Sequence, residues 1–139
     1  MTTIIADPIN GVIAYDSFFT HGDYILDGDC EKRVERGGIS FFFAGDAAHE
    51  EAFMDAYPGG KIDKGADIDA FVVDGGAIYL AGVADGVVWR CPIKKTYAIG
   101  IGGPVALGAM AHGASVEEAV KTSIDLVTSS GGKIRTYKL

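Results

Sequence analysis

Residues 70–90 read Ala70-Phe71-Val72-Val73-Asp74-Gly75-Gly76-Ala77-Ile78-Tyr79-Leu80-Ala81-Gly82-Val83-Ala84-Asp85-Gly86-Val87-Val88-Trp89-Arg90, and they set the architecture. Three apolar runs, Ala70–Val73, Ala77–Ala81 and Gly86–Arg90, have strand length and β-branched or aromatic content. Asp74-Gly75 and Asp85-Gly86 separate them, and Asp-Gly between apolar runs signals a tight hairpin. Tyr97–Ile101 adds a fourth run. An antiparallel meander is expected.

Upstream, Ile39–Phe43 is a wholly apolar strand. Asp46 is placed to cap a helix running to about Tyr57, with Phe53, Ala56 and Tyr57 as its buried stripe. Pro58-Gly59-Gly60 ends that helix, and residues 61–67 form a loop. At the start of the chain, Thr3–Ala6 and Val12–Tyr15 flank an Asn10-Gly11 turn and read as paired strands. Residues 17–36 are polar and irregular, with a short strand near Tyr24–Leu26.

Downstream, Pro104 and Gly113 bracket a helix whose residues Val105–Ala111 are almost all apolar, so it is expected to be buried. Ser115 and Glu118 form a capping box for a last helix with the face Val116, Ala119, Val120, Ile124 and Val127. Ile134–Tyr137 reads as a final strand. This order argues an α+β fold, antiparallel sheet covered by helices, in a single domain spanning residues 1–139.

Composition narrows the function. The chain has 139 residues, enough for one domain with a real core. Twelve basic and 19 acidic residues leave a net charge of −7. With no basic stripe to offset it, that charge argues against nucleic acid as a partner. No apolar run approaches the roughly 20 residues of a membrane span, and the start lacks a signal-peptide pattern. A cytoplasmic location without membrane contact is expected. Cys30 and Cys91 form no metal motif and read as separate thiols. His21, His49 and His112 lack ligand spacing, and the acidic run Asp23, Asp27, Asp29, Glu31 lacks calcium-loop spacing. No metal or other cofactor is expected.

Thr2 is the most chemically suggestive residue. Met1 precedes a small residue, which favours its removal, and the new terminus would carry an α-amine and a hydroxyl together. The amine's ordinary pKa lies near ~7.7–8.0, so it can act as a base near neutral pH, and a threonine with its own terminal amine is a recognised activated nucleophile. Lys32 could supply a cation that lowers the hydroxyl pKa, and Asp16 could hold that ammonium. Gly45 sits between an apolar strand and a helix start, where its N–H could face a developing oxyanion. Gly100-Ile101-Gly102-Gly103 misses the dinucleotide pattern, because Val105 stands where the last glycine belongs.

Taken in order, these segments resemble proteasome β-subunits, most closely the HslV-type peptidase subunit. The similar segments are Thr2-Thr3-Ile4-Ile5, Asp16, Gly28–Val34 with Lys32, Phe43-Ala44-Gly45, Ala98–Pro104 and Gly113–Val120. The resemblance is collinear over nearly the whole chain. It implies a four-layer αββα sandwich of the N-terminal nucleophile hydrolase type. Residues 57–70 leave no room for the family's second helix there, so one helical layer should be thinned.

The resemblance also implies Thr2 as nucleophile, Lys32 and Asp16 as its activators and Gly45 N–H in the oxyanion hole. It implies a homo-oligomeric ring fed with peptide or protein substrate by an ATPase unfoldase. Phe19, Cys30, Val34, Phe43 and Ala47 would line an apolar pocket for the residue before the scissile bond, with Glu31 beside them in sequence. Two positions depart from the family pattern. Ile101 replaces the serine of Gly-x-Gly-Gly, and a family aspartate falls at Val127, with Asp125 close by, while Ser130 matches the family serine. Three readings follow: a threonine-type peptidase cleaving after apolar residues, a catalytically silent structural or assembly protein of the same fold, or an enzyme that hydrolyses the amide of a small molecule with the same residues.

Overall fold

The computed structural model describes residues 2–139. The first half of the chain contains β1 (Ile4–Asp7), β2 (Val12–Tyr15), β3 (Phe19–His21), β4 (Tyr24–Asp27), β5 (Arg33–Arg36), β6 (Ile39–Gly45) and α1 (Glu50–Ala56). The second half contains β7 (Ile68–Asp74), β8 (Ala77–Ala84), β9 (Val87–Pro92), β10 (Tyr97–Ile99), α2 (Gly103–Ala111), α3 (Val116–Leu126) and β11 (Arg135–Lys138). The expected α+β class is observed: among the described residues every strand pairing is antiparallel, and three α-helices accompany the sheets. Internal contacts divide the chain into two compact units, one running up to Lys32 and resuming at Lys94–Leu139, the other Arg33–Ile93.

The first unit is built on a four-stranded sheet in the order β10-β1-β2-β11. Ile5 pairs with Ala14 and with Ala98, which places all three on one face. That face packs against Ala106 of α2 and Val116, Ala119 and Val120 of α3. On the other face Ile4, Ile13 and Tyr15 are buried as well. The capping box forms as the sequence predicts: Ser115 Oγ accepts from Glu118 N and Glu118 Oε1 accepts from Ser115 N, both at 3.1 Å. The expected burial of α2 is not observed. Only Gly103 and Ala106 are buried, because α2 has α3 on one flank and the end of the sheet beneath it. One stripe of an all-apolar helix is then covered, and Leu107 and Met110 remain only partly so. The β3–β4 hairpin leaves Tyr24, Ile25 and Leu26 exposed.

The second unit is the meander, with strand order β5-β6-β7-β8-β9. Two departures concern its hairpins. The β7–β8 turn sits one residue later than predicted, since Asp74 pairs with Ala77 across Gly75-Gly76. Residues 33–36, expected to be irregular, form β5 and pair with β6 across Gly37-Gly38, both in the left-handed region. Gly-Gly between two short runs was the available signal. Asp46 caps as expected, accepting from Ala48 N at 3.0 Å, but the first turn it starts is a 3-10 turn, Ala47–His49, before α1. Phe53 and Met54 of α1 pack on Phe41, Phe43, Ala70 and Val72. Phe41 and Phe43 stack at 5.5 Å, and Phe53 meets Phe43 edge-on at 5.4 Å. Of the α-helices only α1 lies in this unit, in keeping with the thinned helical layer expected.

Candidate active site

Three of the predicted residues meet in the first unit. Thr2 leads into β1, Asp16 directly follows β2, and Lys32 ends the segment after β4. Pairing of Ile4 with Tyr15 brings Thr3 and Asp16 together. Asp16 N donates to the Thr3 carbonyl (3.2 Å), and Thr3 N donates to Asp16 Oδ1 (3.0 Å). Gly131 N donates to Asp16 Oδ2 (3.0 Å). Asp16 is completely buried, so these amides and a cation must carry its charge.

That cation is Lys32. Its Nζ donates to Asp16 Oδ1 at 2.6 Å and to Thr2 Oγ1 at 3.1 Å. Its side chain is 7% exposed. Burial pulls the Lys32 pKa below its usual 10.5, opposed by the Asp16 charge, by the hydrogen bond to Asp16 and by Cys30. An ammonium that is costly to hold and sits against a hydroxyl oxygen favours negative charge developing on that oxygen.

The segment carrying Lys32 is tied down by a residue the sequence reading missed. Arg135 pairs with Asp29 (2.9 Å) and Glu31 (3.3 Å) and donates to Ser17 Oγ (2.7 Å). Tyr15 OH donates to Glu31 Oε1 at 2.6 Å. Cys30 N donates to the Ser17 carbonyl, and Ser17 N to that of Gly131. Glu31 therefore pairs with Arg135 and Tyr15. An arginine in a short terminal strand carries no local signal of such a role.

The Gly100-Ile101-Gly102-Gly103 segment packs on the Thr2 backbone. Gly102 N donates to the Thr2 carbonyl at 3.3 Å. A Cβ on Gly100 would overlap that carbonyl, and one on Gly102 would overlap the Thr3 and Ser123 hydroxyls. Close approach explains these glycines without any nucleotide. Thr3 Oγ1 lies 2.7 Å from both Ser123 Oγ and Ser130 Oγ. Thr3 and Ser123 were also missed. The signal for Ser123 was a polar residue three positions past Val120 on the buried stripe of α3. The departing residues are elsewhere: Ile101 is 52% exposed, and Val127 caps α3.

The other predicted residues have these settings. Gly45 ends β6 opposite Ile68 with φ 121°, and an added Cβ would overlap the Asp67 carbonyl. Phe43 is 5% exposed within the aromatic cluster, and Val34 packs against that cluster. Ala47 opens the 3-10 turn and is exposed. In the first unit Phe19 is exposed and Cys30 half-buried. Removal of Met1 concerns a residue outside those described. Among the described residues no cluster of His, Cys, Asp or Glu could hold a metal, and no helix is long and apolar enough to cross a membrane.

No protein-family model and no curated protein matches the sequence. Solved structures do resemble it. BPH of Thiobacillus denitrificans, in complex with epoxomicin, aligns with a TM-score of 0.70 at 18% identity, covering 99% of this chain and 97% of that one. A second structure of Thiobacillus denitrificans BPH aligns with a TM-score of 0.70 at 18% identity, covering 99% of this chain and 96% of that one. Eukaryotic HslV from Trypanosoma brucei aligns with a TM-score of 0.71 at 16% identity, covering 99% of this chain and 100% of that one. End to end, this chain has the α+β fold of HslV and BPH.

Proposed function

We propose that this chain is a threonine-type N-terminal nucleophile hydrolase that cleaves peptide bonds within a homo-oligomeric ring. One observation carries the reading: Lys32 Nζ bridges Thr2 Oγ1 and the buried Asp16 carboxylate. Once Met1 is removed, the Thr2 α-amine takes the hydroxyl proton as Oγ1 attacks the substrate carbonyl carbon. Lys32 stabilises the charge forming on Oγ1. By resemblance, the Gly45 N–H receives the oxyanion. Collapse of the tetrahedral species breaks the C–N bond, and the amine returns the proton to the leaving nitrogen. Water then hydrolyses the Thr2 ester. By the same resemblance, Phe19, Cys30, Val34, Phe43 and Ala47 select an apolar side chain before the scissile bond, and an ATPase unfoldase supplies the substrate.

Intact mass of the purified protein should lack Met1, and epoxomicin should add its mass to Thr2. Thr2→Ala should abolish both labelling and hydrolysis, and Lys32→Ala should leave only a small residue of activity. Hydrolysis retained in Thr2→Ala would disprove the mechanism. A mass that retains Met1, with no labelling, would identify a silent structural member of this fold instead.

A further inference from the structure

A chain of buried hydroxyls lies behind Thr2, and no step of the proposed mechanism uses it. Thr3 and Ser123 are 0% exposed and Ser130 is 3% exposed. Thr3 Oγ1 contacts both serines at 2.7 Å, and Ser123 Oγ donates to the Gly102 carbonyl at 3.2 Å. Each hydroxyl has one proton. The Ser123 proton goes to Gly102, so Thr3 must donate to Ser123 and Ser130 must donate to Thr3. The bonds therefore run one way, from Ser130 through Thr3 and Ser123 to the Gly102 carbonyl. The N–H of that same glycine holds the Thr2 carbonyl at 3.3 Å.

We infer that Ser123 and Thr3 are positioning residues, whose hydroxyl chain fixes Gly102 and, through it, the backbone of the nucleophilic residue. The catalytic part of this inference rests on the proposed hydrolase reading. α3 thus supplies polar anchoring from Ser123, one turn before Val127, where the family resemblance has an aspartate. The Val127 N–H is itself bonded to the Ser123 carbonyl at 2.7 Å. Gly102 fits the same logic, since any side chain there would overlap both hydroxyls. A buried chain in which every proton is assigned is rigid, and losing one member leaves a partner unsatisfied.

The test compares Thr3→Val, which keeps the shape and loses the hydroxyl, with Thr3→Ser, which keeps the hydroxyl and loses a methyl. Ser123→Ala and the Ser123→Ala/Thr3→Val double variant complete the set. Amide exchange at Gly102, followed by NMR on the full chain, reads the anchoring without any substrate. Peptide hydrolysis reads its consequence. Thr3→Val and Ser123→Ala should each speed Gly102 exchange about tenfold, the scale of one lost net hydrogen bond. Each should lower kcat by a similar factor with KM unchanged. Thr3→Ser should stay near wild type, and the double variant should be little worse than either single one.

Unchanged Gly102 exchange in Thr3→Val and Ser123→Ala would overturn the anchoring. Impairment in Thr3→Ser but not Thr3→Val would show packing instead. Faster exchange with unchanged kcat would overturn the catalytic role. A wild type that hydrolyses nothing would sink the hydrolase reading, while the exchange data would still decide the anchoring. If Ser123→Ala does not fold, the Thr3 pair decides alone.

Discussion

Asp16 holds its charge with Lys32 and two backbone amides. Asp16→Asn would leave the nearly buried Lys32 ammonium without its counter-charge. Breaking a buried pair from one side typically costs ~3–5 kcal/mol, and urea unfolding at neutral pH should show a loss of that order. The pH dependence follows from Lys32. Burial lowers its native pKa below 10.5, so the folded protein releases this proton earlier than the unfolded chain. Between those two pKa values the unfolded state binds more protons, and stability contributed at this site rises with pH. The deficit of Asp16→Asn should therefore shrink toward alkaline pH, where Lys32 can turn neutral. A deficit that grows in that window would contradict the assignment. For the same reason, the proposed hydrolysis should fall as pH rises through the native Lys32 pKa, which burial places below 10.5.

The proposed specificity also belongs to single residues. Phe19, Cys30, Val34, Phe43 and Ala47 are uncharged, and Glu31, next to Cys30 in sequence, pairs with Arg135 and Tyr15. An apolar substrate side chain gains roughly 1.5–3 kcal/mol on full burial. A charged one would lose more than that if left unpaired. A mixed peptide library should be cleaved after Leu, Phe or Tyr, and dominant cleavage after Lys or Arg would rule this pocket out.

Among the elements, α3 carries the most informative termini and faces. Its capping box satisfies two otherwise unpaired amides, and its stripe of Val116, Ala119 and Val120 packs on the first sheet while Ser123 joins the hydroxyl chain. Ser115→Ala should destabilise by ~1 kcal/mol, a shift readable as a lower urea midpoint with an unchanged slope. The Ser115 amide also holds Glu118 below its usual pKa of 4.5. That contribution is present above 4.5 and fades as pH falls through the native value. α2 behaves differently, because an apolar helix needs neighbours on several sides to be buried and this one has them on only part of its circumference.

At the scale of the whole molecule, exposed apolar surface stands out. Tyr24, Ile25 and Leu26 on the β3–β4 hairpin are 76%, 55% and 61% exposed. Contiguous apolar surface rimmed by polar residues commonly marks an interface. Together with the proposed ring, this predicts light scattering masses well above 14.5 kDa at micromolar concentration. A mass near that of one chain would exclude the ring.

Much of the fold was legible because its signals are local. Turn glycines, the Ser115–Glu118 spacing, the period of α3 and the apolar runs each depend on a few neighbouring residues. They predicted the class and most elements. β5 was missed because a short charged strand has no apolar signature, and α2 was misjudged because composition does not report what lies beside a helix. Thr2, Asp16 and Lys32 were legible only through the order of motifs along the chain. Their contact was decided by tertiary structure: Lys32 reaches back 16 residues to Asp16 and 30 to Thr2. Ser123 meets Thr3 across 120 residues. No sequence spacing encodes such meetings. They arise because the pairing of β1 with β2 and β10, and the packing of α3 on that sheet, bring distant polar side chains into one buried volume, where each must find a hydrogen-bond partner.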